Sequence, residues 1–386
     1  MRTVNARFGF IAILCAVTVL FIWKPRASSH ETLTTTVLFD REIVRILDRH
    51  CVMCHFENGP SLPLETYEQT WLQGRRIRAD VIARHMPPWA AVPGYGQFVN
   101  DNNLTLRETQ FVISWVEGLG PRNGGTVFTN IANSTATPRS EVRAQAHVGH
   151  WQFGEPNLTR MLDANTIEAR QTNTVKRVVI DSGLNAERRL RALEYMPGDR
   201  RVVCAVFFTV QETGQWIGSW TPWFGVASLP TGVAYRLPAG AHIVAEIHYR
   251  GANDRVVDRS TIGLFFADQP GLSVDPDLAL EMKLQPRAAS QKFQAETRLT
   301  TDTYILSLLP EIAPGMTSIE VSARKPDGGR EVLLFARDLQ PDWPTPYVFA
   351  NPVLLPKGTD LVATAYTNTS VTQTSGIRLT ASRYRR

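Results

Sequence analysis

The sequence predicts a multidomain protein: a small all-α domain followed by an all-β region large enough for two sandwiches. Three observations lead there. Apolar residues recur at helical spacing in segments that bracket residues 37–120. From residue 146 onward the pattern changes to short runs rich in Val, Ile, Phe, Tyr and Thr, separated by Pro/Gly turns. Between them, 123–145 is a polar stretch with Gly, Ser, Thr and Pro that reads as a linker or long loop. The totals agree with this division. A chain of 386 residues, 43% hydrophobic and 20% charged, can build several cores, and 24 prolines with 26 glycines favour turn-rich β structure. The net charge of +5, from 41 basic and 36 acidic residues, is too mild to indicate nucleic acid but suits an anionic surface or partner.

Residues 1–30 read as an export signal or an N-terminal membrane anchor. Arg2 and Arg7 precede an uncharged apolar run from Phe8 to Trp23, and Lys24 and Arg26 follow it. The run is at the short edge for spanning a bilayer, and no clear small-x-small cleavage site follows Trp23. Cleavage and retention in an inner membrane are both compatible with it. In either case the rest of the chain is expected outside the cytoplasm, in a periplasmic or similar space. Cys15, inside the run, lacks the preceding small residues of a lipid-attachment site.

The first helix is expected over 37–55, where Phe39, Ile43, Ile46 and Leu47 share a face and Asp40, Arg41, Arg45 and Asp48 lie between them. A second helical segment covers Trp71–His85. Thr105 and Glu108 form a capping box before a third helix, with Phe111, Val112, Trp115 and Val116 on its apolar face and Gly118 and Gly120 ending it. The expected strands include "RRVVCAVFFTV", "AHIVAEIHYR", "TIGLFFA", "SIEVSARK", "EVLLFARDL" and "TDLVATAYT". The stretch "DQPGLSVDPDLALEMKLQPRAASQ" reads as a break that divides 146–272 from 273–386.

The motif that carries chemistry is Cys51-Val52-Met53-Cys54-His55. Cysteines at i and i+3 on one helical face can bond two vinyl groups on one edge of a porphyrin, which places the next residue's imidazole under the iron. On this reading Cys51 and Cys54 attach one haem c and His55 is the proximal ligand. A small disulfide loop is the plainer alternative in an exported chain. For the second axial position "RHMPPWAAVPGYGQF" offers His85 and Met86. Pro87 pushes Met86 into extended backbone, and Met86 is preferred over His85 or an open face, because a thioether on a stiff loop raises the reduction potential. Met86 packing on the haem edge as a core residue is the alternative. Met53 cannot easily reach the distal face. Trp89, Tyr95, Phe98 and Trp115 are expected as haem-pocket walls or plain core.

Residues 37–122, with "CVMCH", "MPPW", "QFVNDNNL" and "SWVEGLGPR", resemble a class of bacterial cytochrome c domains. The remainder, with "HWQFGEPN", "RALEYMPGDRRVV", "LPAGAHIVAEIHYRG" and "ARKPDGGREVLLFARDLQPDW", resembles the copper type II ascorbate-dependent monooxygenases. That family includes peptidylglycine α-hydroxylating monooxygenase and dopamine β-monooxygenase. The resemblance implies two jelly-roll sandwiches, 146–272 and 273–386, and two copper sites. The implied ligand positions are mostly substituted here. The adjacent-histidine pair falls on Cys204 and Ala205, the His-x-His on Glu311 and Ala313, and the tail has no methionine. Only His248 remains as a residual copper-ligand position. Copper is therefore not expected, since a stable site needs three or four donors. His147, His150 and His242 are expected to make ordinary hydrogen bonds.

The resulting expectation is an exported c-type cytochrome that passes electrons to a redox partner protein or respiratory-chain component, with the β module used for docking or structure. The alternatives are a copper- and haem-dependent monooxygenase fed by its own cytochrome domain, and a haem with an open face that binds a small ligand.

Overall fold

The computed structural model describes residues 35–123, 150–225, 228–282, 292–313, 315–341, 343–368 and 377–385. The N-terminal segment 1–30 and nearly all of the expected linker lie outside the described residues. Among the described residues no helix is long and apolar enough to cross a membrane.

The N-terminal part is helical. A π-helical turn, Phe39–Ile43, runs directly into α1 (Val44–His50). It is followed by α2 (Tyr67–Leu72), α3 (Gly74–Ile82) and α4 (Leu106–Glu117). α4 begins where the capping box puts it. The Thr105 hydroxyl accepts from the Glu108 N–H at 3.1 Å, and the Thr105 N–H donates to the Glu108 carboxylate at 2.9 Å. Val112 and Trp115 are buried from α4, against Phe39, Ile43, Ile46 and Leu47. The Trp115 indole N–H donates to the Pro121 carbonyl at 3.0 Å, which closes the end of this part back onto its own core.

The rest is mostly β-sheet. The first half carries β1 (Leu158–Met161), β2 (Asn165–Ile167), β3 (Thr174–Asp181), β4 (Arg188–Met196), β5 (Val203–Val210), β6 (Trp216–Trp220), β7 (Val233–Leu237), β8 (His242–Tyr249), β9 (Val256–Asp258) and β10 (Thr261–Phe266). The second half carries β11 (Leu272–Met282), β12 (Lys292–Arg298), β13 (Thr303–Pro310), β14 (Met316–Arg324), β15 (Arg330–Arg337), β16 (Tyr347–Leu355), β17 (Asp360–Thr367) and β18 (Ile377–Tyr384). One eight-stranded sheet, β1-β10-β4-β7-β11-β18-β13-β16, runs through both halves. The sheet β3-β8-β5-β6 packs over its first half through Leu190, Phe208, Leu237, Ile247, Ile262 and Leu264. The sheet β12-β17-β14-β15 packs over its second half through Leu280, Ile305, Ile319, Leu334, Leu361 and Leu379. The result is two sandwiches that share one long sheet.

This sharing differs from the expected break. Much of the stretch read as a boundary is β11, which lies parallel to β7 at Leu272↔Val233 and antiparallel to β18 from Val274↔Tyr384 to Met282↔Ile377. Asp275-Pro276-Asp277 reads as a breaker in isolation. Here a bulge between Asp275 and Leu278 takes up the proline, and both acids find partners: Asp277 accepts from the Trp216 N–H at 2.7 Å and Asp275 pairs with Arg385 at 2.7 Å.

A buried polar knot closes the first sandwich near β9. The Asp258 carboxylate, 1% exposed, accepts from the Tyr249 hydroxyl at 2.9 Å, the Ser260 hydroxyl at 2.8 Å and the Asp199 N–H at 2.9 Å. The Tyr195 and Ser260 hydroxyls meet at 2.5 Å. Burial, with the Asp258 charge adding to it, pushes the Tyr195 phenol well above its ordinary range.

Candidate functional site

α1 delivers the cysteine–histidine motif but does not contain it. Cys51 ends the helix, its N–H donating to Leu47 O at 2.8 Å. The Cys51 carbonyl then accepts from both the Cys54 N–H at 3.0 Å and the His55 N–H at 2.9 Å. The motif therefore occupies one helix-like turn beyond the helix end. The i, i+3 relation of the two thiols survives because that turn keeps helical hydrogen bonding.

Cys51, Cys54, His55 and Met86 line one cavity, together with His50, Asn102, Trp223 and Trp343. Both cysteines carry thiols, partly exposed but packed about on most sides, and this desolvation pushes each up to about 12. Thiols held neutral in this way are poor metal ligands. Arg200 and Arg250 oppose the shift at Cys54, so the cavity has positive charge beside it. Arg200 lies 3.8 Å over the Phe56 ring and Arg250 lies 4.9 Å over Trp343.

His55 is oriented by its backbone surroundings. Its Nδ1 lies 2.8 Å from the Leu62 carbonyl, an acceptor only, so Nδ1 carries the proton and donates. The Nε2 lone pair is left for a metal, the arrangement typical of a ligating imidazole with a carbonyl behind it. Burial lowers the His55 pKa, with the Leu62 hydrogen bond acting against it. His85 is elsewhere. Its side chain is 65% exposed and 3.7 Å from Asp80. Thus Met86 joins the motif and His85 does not. Trp89 and Phe98 lie in or against the second sandwich's core and Trp115 in the helical core. Tyr95 packs 5.7 Å from Phe335. Of the tryptophans, Trp223 and Trp343 line the cavity, and neither was singled out from the sequence because each sits on a remote β loop.

This donor set fits a haem held by two thioethers and an axial imidazole. The Trp223 indole N–H is buried with no hydrogen-bond partner, a spare donor at the cavity for an acceptor-bearing group. The space is tight at ≈ 30 Å³, so a macrocycle requires the wall of Trp223 and Trp343, whose rings are 6.3 Å apart, to stand further out. A larger cavity of ≈ 580 Å³ adjoins it, shares Met53 and Trp223, and is also lined by Phe56, Tyr195, Arg200 and Trp220.

The residual copper position is on the outer face of β8. Ala205 on β5 lies opposite His248, and Cys204 beside it is buried. The His248 ring stands edge-on to Phe207 at 5.6 Å, with Nε2 at 3.4 Å from the Glu246 carboxylate. Glu311 lies within electrostatic reach of Glu246 and Arg177, and burial raises its pKa. Among the described residues no group of three or more His, Cys, Asp or Glu side chains is gathered to hold a metal. His242 pairs with Glu212 at 2.8 Å, His150 lines the larger cavity, and His147 lies outside the described residues.

The His248 imidazole, with the Arg177 guanidinium at 2.7 Å, holds Glu246 down at about 2 against partial burial. A depressed folded-state pKa stabilises the fold above the unfolded value of 4.5, and this is lost as pH falls from there toward about 2. Thermal unfolding of Glu246→Gln is expected to fall less steeply over that acid range than wild type, with the gap between them greatest near neutral pH. Parallel curves would contradict this coupling.

No protein-family model matches the chain, and no curated protein sequence matches it. Among solved structures it is similar to the major capsid protein P2 from bacteriophage PM2, at 11% identity over 59% of this chain and 97% of that one, TM-score 0.27. It is also similar to PNGase F, a glycosylasparaginase from Flavobacterium meningosepticum, at 9% identity over 59% and 96%, TM-score 0.28. Likenesses at these scores are no guide to function.

Proposed function

We propose that the chain is an exported c-type cytochrome that transfers electrons. Its helical part is a cytochrome c domain, and its β part is a pair of jelly rolls related to the copper monooxygenase scaffold. The observation that carries this reading is the convergence of Cys51, Cys54, His55 and Met86 on one cavity, with His55 Nδ1 committed to Leu62. Bound haem supplies a one-electron iron couple. The two thiols would tether it, the Leu62 carbonyl holds the proton on His55 Nδ1 so that Nε2 would be free to ligate, and the Met86 thioether would favour the reduced state. The partner is a redox protein or respiratory-chain component outside the cytoplasm.

The test is the mass of the denatured chain after expression in a host that matures c-type cytochromes. The expected result is the mass of one haem added to the chain and lost in the Cys51→Ser/Cys54→Ser variant. An unmodified mass in such a host would remove this reading. The ≈ 580 Å³ cavity beside Met53 favours a second one, an open-faced haem that takes a small ligand. Binding of carbon monoxide by the reduced parent as fast as by reduced Met86→Ala would support it.

A further inference from the structure

The chain after Met86 is tied to the second sandwich at both of its sheet edges. β15 ends the four-stranded sheet and β16 ends the eight-stranded one. The Ala90 carbonyl accepts from the Arg337 N–H at 3.0 Å and the Val92 N–H donates to Phe335 O at 2.8 Å, which covers the β15 edge. The Gln97 carbonyl accepts from the Ala350 N–H at 2.8 Å and the Val99 N–H donates to Val348 O at 2.9 Å, which covers the β16 edge. One loop thus bridges the two sheets and shields an edge of each.

The ends of the loop are pinned as well. Asn100 is buried, donating to Pro346 O at 2.6 Å and accepting from the Val348 N–H at 3.1 Å. Trp89 is buried against Tyr347, ring centroids 5.2 Å apart. On the other side of Met86, Gln340 donates to the His85 carbonyl at 3.1 Å. Between the two edges the chain turns at Gly96, at φ +79°, where a Cβ would collide with the Leu333 carbonyl and the Phe98 ring.

We propose that the second sandwich is the positioning element for the Met86 thioether, and that Trp89, Gly96 and Asn100 are positioning residues for that ligand. The inference rests on Met86 as the axial ligand. A ligand on a loop is retained to the extent that the loop is already held in the bound conformation. Here the hydrogen bonds holding it come from β15 and β16, which are remote from the motif in sequence. The β module then sets the iron's ligand field, in addition to any docking role.

The test uses the full-length haem-loaded protein with Gly96→Ala and Asn100→Ala, neither of which lines the cavity. Readouts are the far-red absorption band of methionine-ligated ferric haem, the reduction potential, and the affinity for added imidazole. Both variants are expected to keep full haem content, weaken the band, lower the potential and bind imidazole about tenfold tighter, equivalent to about 1.4 kcal/mol of lost loop closure. Ile377→Val, a core change in β18, a strand that pairs with neither β15 nor β16, is expected to lower sandwich stability and leave all three readouts at wild type. The proposal is overturned if the two loop variants behave like Ile377→Val. It falls with its premise if Met86→Ala itself keeps the band, an outcome that is separate from the first.

Discussion

Met86→Ala is expected to keep one covalent haem per chain and lose low-spin methionine ligation. The tether is independent of Met86, because Cys51 and Cys54 sit on their own hydrogen-bonded turn after α1. His85 does not substitute for the thioether, since its side chain is exposed beside Asp80, and His50 on the cavity wall is engaged by Asn102 at 3.1 Å. If methionine prefers the reduced iron by about a hundredfold, its loss lowers the potential by roughly 120 mV for a one-electron couple. A redox titration and an absorption spectrum of the oxidised protein check this. An unchanged spectrum would assign the distal position to another group, Met53 being the next methionine along the wall.

Asp258→Ala is expected to be the most damaging single change to the first sandwich. It removes the acceptor for two buried hydroxyls and one N–H, from Tyr249, Ser260 and Asp199. Stranding buried donors costs about 1–3 kcal/mol each, with partial relief by relaxation, so a total loss of about 3–5 kcal/mol follows. Asp258→Asn keeps an acceptor oxygen and is expected to lose less. Urea unfolding followed by tryptophan fluorescence measures both, since Trp220 packs 5.5 Å from Tyr195 in this sandwich. A loss under about 1 kcal/mol for Asp258→Ala would mean that water replaces the carboxylate, and that the knot is not closed.

The parts of this structure that were legible in the sequence depend on neighbours close along the chain. The Thr105–Glu108 box marks the start of α4, and strands such as β5, β8 and β17 are runs of branched and aromatic residues. What was not legible depends on distant partners. β12, "KFQAETR", has a polar outward face and becomes a strand by pairing along β17. β11 hides behind Asp-Pro-Asp, and its acids find partners in Trp216 and Arg385, far away in sequence. At the candidate site, the motif and Met86 could be read from spacing and loop stiffness. The tryptophans Trp223 and Trp343, the arginines Arg200 and Arg250, and the sandwich edges that hold the methionine loop could not, because no local pattern links them to residues 51–86.

The most direct test of the proposed function is the iron and copper content per chain of protein matured in a host that attaches c-type haem and purified with copper supplied. One iron and no copper is the predicted result, with His248 left as an imidazole beside Glu246. One or two tightly bound coppers per chain would contradict it and would make the β module a working copper site fed by the haem.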